Sequence, residues 1–218
     1  NQFSYFKVDS FFLKNAILNI FRQPDTEQLQ QQFQSFNVEL YDFLLDSASS
    51  FDKDRLLHAR DLEMNVQGYL LRLEDNYHEF YADSIFVSTI NNSLGTKNIR
   101  ISPLTAQQQK SHTQVNIECK ELSVADADLK TIYHTRTFPD RLIKILEPKV
   151  KIQYLSQIKK NKKQKEAGLL FDLVSAYLKG VYSKVVQVEN GELKIENLYN
   201  SHVQGYFETN FNFTLSGF

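Results

Sequence analysis

The chain of 218 residues sets 25 Lys and Arg against 26 Asp and Glu, a formal net charge of −1, and 42% of it is hydrophobic. This balance suits a folded globular chain, excludes a disordered one, and gives no electrostatic reason to expect nucleic acid as a partner. The lone Cys119 excludes an internal disulfide framework and leaves cytoplasm and periplasm equally open, and no apolar run reaches the roughly 18 residues that a membrane-spanning helix needs.

In chain order, most apolar residues recur with period two, the mark of strands with one dry and one wet face. Strands are expected at 6–13 and 16–21, and then where Phe36, Val38 and Leu40 alternate with Asn37 and Glu39. Short turns are expected near 26–32 and 52–60. Met64, Val66, Gly68 and Leu70 alternate with Asn65, Gln67 and Tyr69, and Glu74-Asp75-Asn76 signals a turn. A strand over 84–90 precedes the turn Asn91-Asn92-Ser93, and Ile99 and Ile101 flank Arg100 in the next. Leu104 to His112 reads as a polar loop. Val115, Ile117 and Cys119 alternate with Asn116 and Glu118, and another short turn falls near 122–132.

Further strands are expected at 142–146 and where Val150 and Ile152 alternate with Lys149 and Lys151. A basic loop, 159–165, leads into the one strong helical pattern, 166–179, whose apolar stripe includes Leu169, Leu170, Leu173, Val174, Tyr177 and Leu178. Asn190-Gly191, between strands expected at 184–189 and 192–198, signals a hairpin or a Gly-bulge. Phe211, Phe213 and Leu215 close the pattern.

An internal repeat is the most informative feature. Leu13 to Ile20 matches Val188 to Ile195, and 188 − 13 = 175. Phe36 to Leu40 matches Phe211 to Leu215, and 211 − 36 = 175 again, with Phe43 falling on Phe218. This period exceeds the roughly 20–50 residues of short solenoid units. The expectation is a single β-repeat segment, 1–218, of a longer protein, an expectation helped by a first residue that is Asn1 and not Met.

No chemistry announces itself. The histidines His58, His78, His112, His134 and His202 are scattered without metal-ligand spacing; His78 reads as a surface turn residue within reach of Asp83. Asp126 and Asp128 lack the Gly and distal Glu of a calcium loop and read as a solvated turn. Cys119 reads as a small buried hydrophobe. Asn91 and Asn212 begin formal glycosylation sequons, which carry little weight. The expectation is a non-catalytic chain with no cofactor and no metal.

About a dozen apolar strand faces with one strong helix to cover them imply a sheet that folds on itself, packs on neighbouring modules, or holds apolar ligands. The expected fold class is mainly β: a long antiparallel, curved sheet, groove or sandwich-like, built from repeating β modules, with one main amphipathic helix near 166–179.

The phrases Val185 to Ile195, Gly205 to Leu215, Tyr81-Ala82-Asp83-Ser84-Ile85, Lys97-Asn98-Ile99-Arg100-Ile101 and Glu147-Pro148-Lys149-Val150-Lys151-Ile152 resemble recurring elements of bacterial AsmA-like proteins. That family is similar to bridge-like lipid-transfer proteins. The resemblance implies a module of the periplasm or cell envelope, held at the inner membrane through a segment outside this chain, beside neighbouring repeats of the same chain. It implies an apolar track for phospholipid acyl chains, serving lipid transport or outer-membrane biogenesis. The lipid-facing residues would be Phe36, Val38, Leu40, Val66, Leu70, Ile99, Ile101, Val115, Ile117, Val150, Ile152, Leu193, Ile195, Phe211, Phe213 and Leu215. The competing expectation is a structural scaffold or adhesin segment with a closed core and no ligand.

Overall fold

The computed structural model describes residues 4–21, 29–73, 77–104, 113–135, 137–138, 142–155, 180–181, 185–198 and 205–216. The chain is mainly β. Its strands are β1 (Tyr5–Phe21), β2 (Leu29–Asp46), β3 (Ala59–Arg72), β4 (His78–Ser88), β5 (Ser93–Pro103) and β6 (Thr113–Ala125), followed by a short helix α1 (Leu129–Thr135). Then come β7 (Thr137–Phe138), β8 (Leu142–Leu146), β9 (Lys149–Tyr154), β10 (Gly180–Val181), β11 (Val185–Asn197) and β12 (Tyr206–Ser216).

Ten of these strands form one sheet, while β7 and β10 pair in parallel as a separate small ladder. From β1 to β6 the sheet is an antiparallel meander. Strands β8 and β9 then lie end to end between β6, to which both are antiparallel, and β11, to which both are parallel. The sheet is therefore mixed, not purely antiparallel as expected. A parallel pair needs a crossover of about a dozen residues or more, usually helical. The chain between β9 and β11 provides that length, and the helix expected at 166–179, like the basic loop 159–165, lies there, outside the described residues.

One expected break, and one site expected to be a hairpin or a bulge, are both bulges. The strands expected at 6–13 and 16–21 are one strand, β1, with Asn15 in the left-handed region at φ 53°. Likewise 184–189 and 192–198 are one strand, β11, bulged at Asn190 (φ 55°) and Gly191. An extra residue per strand lets pairing continue through the kink instead of reversing it. Gly68 (φ 59°), Asn98 (φ 48°) and Glu147 (φ 50°) repeat the left-handed kink in β3, β5 and the β8–β9 junction while the ladders keep their register, so the same kink recurs across the sheet. Pro148, which has no N–H, follows Glu147, and the ladder survives because Glu147 N–H donates to Glu189 (2.8 Å) and the Pro148 carbonyl accepts from Glu192 (2.8 Å).

The one described helix differs from the expected solvated turn at Asp126 and Asp128. Asp128 is the N-cap of α1: its carboxylate accepts from the Thr131 N–H (3.0 Å) and hydroxyl (2.7 Å). The core gathers where this helix meets the sheet. Val38, Leu40, Leu56, Ala59, Leu62, Val124, Ala127 and Leu129 are buried together, with Phe43, Met64, Leu94 and Ile132 packed around them.

Candidate functional site: the apolar face of the sheet

Residues directly opposite one another in adjacent strands share a face, so the register fixes what each face carries. One row runs Leu13, Val38, Met64, Val87, Leu94, Val124, Ile143, Val186, Leu215, apolar in every strand it crosses. The next row runs Ala16, Phe36, Val66, Ile85, Thr96, Leu122, Ile145, Val188, Phe213. Beyond the bulges a third continues through Ile20, Gln31, Leu71, Phe80, Ile101, Ile117, Val150, Leu193 and Thr209.

The opposite face is polar. One of its rows reads Gln32, Leu70, Tyr81, Arg100, Glu118, Lys149, Glu192, Asn210. Arg100 lies over the Tyr81 ring at 5.1 Å, and the lysines of β8 and β9 meet carboxylates of β11: Lys144 with Glu189 at 3.0 Å and Lys151 with Glu196 at 3.3 Å. These exposed pairs add little stability individually; their alternation keeps this side wet.

Every residue expected on the apolar track lies on this face except Leu70. The left-handed kink at Gly68 shifts the alternation by one position, so Tyr69 and Leu71 take the apolar face and Leu70 joins the polar one, opposite Gln32 and Tyr81. A one-residue slip exchanges faces for everything beyond it. Ile85, Val87, Leu122, Ile145 and Val188 belong to the face although the sequence reading did not select them; their cross-strand partners, not their own alternation, place them there.

Covering differs along the face. At the Val38 end, α1 and the Leu56 turn lie on the sheet, and Leu62 is only 2% exposed. In the middle, Val66 and Ala82 are fully buried, with Phe33, Tyr69 and Phe80 in an aromatic chain beside them (Phe33 to Tyr69 4.8 Å, Tyr69 to Phe80 5.9 Å). Toward the edges the apolar side chains are open: Phe11, Leu18, Phe213 and Leu215 are each more than a third exposed.

The turn over the covered end is pinned by charge. The buried Arg55 guanidinium donates to the Asp42 carboxylate (3.1 Å) and carbonyl, and also to the His58 carbonyl (3.2 Å). Arg60 (3.0 Å) and Lys7 (3.3 Å) meet the same carboxylate. The Arg60 hydrogen bond, helped by Lys7 and Arg55, holds the Asp42 carboxyl below its ordinary value, against a smaller opposing effect of burial. Ser49 touches His58 Nδ1 at 2.9 Å, and its N–H is held by Asp46 at 2.6 Å. These contacts knit the turn.

The remaining candidates are structural. His78, expected on a surface turn, is buried as the first residue of β4. Cys119 is buried on the apolar face opposite Ile99, its Sγ within 3.3–3.4 Å of the Glu121 and Leu146 carbonyls, and burial pushes its thiol pKa up. Such a thiol is a poor nucleophile. Asn212 spends its side-chain oxygen on the Asn190 N–H (2.5 Å). Among the described residues no three His, Cys, Asp or Glu side chains converge as metal ligands, and no helix is long and apolar enough to cross a membrane. His112, His202 and the turn Glu74-Asp75-Asn76 lie outside the described residues. No protein-family model, curated protein or solved structure matches the chain.

Proposed function

We propose that this chain is a non-catalytic module of a cell-envelope protein, whose apolar sheet face shields phospholipid acyl chains during lipid transport or outer-membrane biogenesis. The observation that carries the reading is the continuity of that face: one row is apolar in every strand from β1 to β12, its neighbours are interrupted by Thr96, Gln31 and Thr209 alone, and the face remains open where it reaches the edge strands. Moving an acyl chain from water onto such a surface gains about 0.8 kcal/mol per CH₂ buried, while the headgroup stays in solvent. The likeness to AsmA-like proteins supports the periplasmic location and an attachment to the inner membrane outside this chain.

The scaffold or adhesin reading is favoured by a different observation, the complete burial of Val66 and Ala82 in the middle of the same face. A face filled by its own side chains holds no ligand. Native mass spectrometry after incubation with phosphatidylethanolamine and phosphatidylglycerol vesicles separates the two. Transfer requires bound phospholipid, with occupancy reduced by Phe213→Asp at the open edge. A chain that emerges lipid-free supports the scaffold. Val38→Asp does not discriminate, because its site is under α1 and the charge would unfold either structure.

A further inference from the structure

The two ends of the sheet are related by the 175-residue offset, and their ladders agree as far as the bulge; past it β2 shifts by one residue where β12 does not, so Leu18 meets Phe33 whereas Leu193 meets Thr209. The pairs Leu13 with Val38 and Ala16 with Phe36 recur as Val188 with Phe213 and Gly191 with Phe211. Asn15 and Asn190 are both left-handed, and the N–H of each donates to an asparagine Oδ1, Asn37 at 2.8 Å and Asn212 at 2.5 Å, again 175 residues apart. Strand β1 is the counterpart of β11. The strands differ on their other edge: β11 pairs there in parallel with β8 and β9, whereas β1 ends the sheet among the described residues.

We infer that the outer edge of β1 is a docking edge for a two-part strand of the β8–β9 kind, brought by a neighbouring module and running parallel to β1. This rests on the modular half of the reading above and not on its lipid half. The offset fixes the register. Glu189 accepts from Glu147 and Glu192 donates to Pro148, so their counterparts, the Lys14 carbonyl (189 − 175 = 14) and the Ile17 N–H (192 − 175 = 17), are the groups offered by β1. Ile17 falls in a register shift with no cross-strand partner in β2 and is 71% exposed. On the apolar face, Phe11, Leu13, Leu18 and Ile20 stand where Val186, Val188, Leu193 and Ile195 receive Ile143, Ile145, Val150 and Ile152. Apolar side chains meet in every row.

The polar face specifies the partner. Lys144, Lys149 and Lys151 pair with Glu189, Glu192 and Glu196, whose counterparts in β1 are Lys14, Ile17 and Phe21. This chain's own β8–β9 would set Lys against Lys14 and leave two lysines without carboxylates. The docking strand therefore carries an acid at the first of these places and apolar residues at the other two, and it comes from a module of different sequence.

The test uses the whole chain and a peptide of residues 142–154 with Lys144→Glu, Lys149→Val and Lys151→Val, carrying a photo-crosslinker at the Ile145 position. Saturable binding with crosslinks to Phe11–Lys14 is expected, at least tenfold tighter than for the peptide that keeps its lysines. Ile17→Pro should weaken binding at least tenfold without moving the melting temperature, since it removes an edge donor that β2 does not use. Lys14→Glu should reverse the preference toward the lysine at the first place. Absent binding, crosslinks on β12, or indifference to both substitutions overturns the proposal. No lipid is present in the assay, so its failure leaves the lipid reading to be decided by its own measurement.

Discussion

The covered end of the apolar face and its open edges are built from the same alternation yet behave as different materials. Leu62 and Phe213 are both apolar residues at inward positions of long strands, but one lies beneath α1 and Leu56 while the other stands 41% exposed on an edge strand. Alternation decides which side of the sheet a residue takes. Whether that side becomes core depends on what the chain lays over it, and here the described cover is one short helix and one turn. Stability should therefore be concentrated at the covered end and any surface function at the edges.

The sharpest way to break that contrast is a charge at the covered end. Leu62→Asp would bury a carboxylate among Val38, Val124 and Leu129. The expected loss is about 4 kcal/mol or more, a large share of a typical domain's stability. Urea unfolding measures it, and a loss below about 1 kcal/mol would show that this end is not the core.

The line of left-handed kinks is the next largest effect. Gly68 sits at φ 59°, and a Cβ there would fall 2.4 Å from the Gln34 side-chain oxygen. Gln34 can swing aside, being the far end of a flexible side chain, so the backbone conformation sets most of the cost. Gly68→Ala should lose about 1–2 kcal/mol by the same urea titration. A neutral result would mean that β3 can drop its left-handed kink, exchanging Tyr69 and Leu71 for Leu70 on the apolar face.

A gentler probe of the covered end is acid. The Asp42 carboxyl is held below its ordinary value chiefly by Arg60, so its folded form binds the proton later than the unfolded chain does. A depressed carboxyl contributes stability above its unfolded pKa, near 3.9, and loses it as pH falls through the lower folded value. Asp42 is left-handed at φ 47°, a conformation Asn also tolerates, so Asp42→Asn removes the charge and spares the backbone. The wild type should be the more stable form at pH 6, and the gap should close as pH falls below about 4. A constant gap in pH-dependent melting would assign the difference to something other than ionisation.

The mainly β architecture was legible because alternation is local: Phe36, Val38 and Leu40 declare a strand without reference to any other residue. Strand direction was not legible, since β8 and β9 look alike whether their neighbour runs parallel or antiparallel. Leu70 was misplaced for a physical reason. Its spacing from Val66 keeps perfect alternation only if Gly68 is an ordinary strand residue, and a glycine inside a strand is itself the signal of a bulge. The same signal was readable at Asn190-Gly191, where hairpin and bulge shared one pattern and the ladder to β12 decided for the bulge. His78 was misjudged because a turn was expected to extend into the first residue of β4. The short α1 helix was hidden by its length: seven residues carry little periodicity, and only its cap, Asp128, is a recognisable residue type.

The smallest effect is expected at the open edge, where it is also the most informative. Phe213 lies opposite Val188 and stacks on Phe211 with ring centroids 5.8 Å apart, but it has no strand beyond it among the described residues. Phe213→Asp gives up part of one cross-strand contact and one ring pair, and its carboxylate can reach water. The expected cost is below about 1 kcal/mol by urea unfolding, against several for the same charge at Leu62. Equal losses at the two sites would mean that the edge is covered as firmly as the centre and would remove the open surface on which acyl-chain binding depends. A small loss keeps that surface available, and it makes Phe213→Asp the variant in which a fall in bound phospholipid can be read without a change of fold.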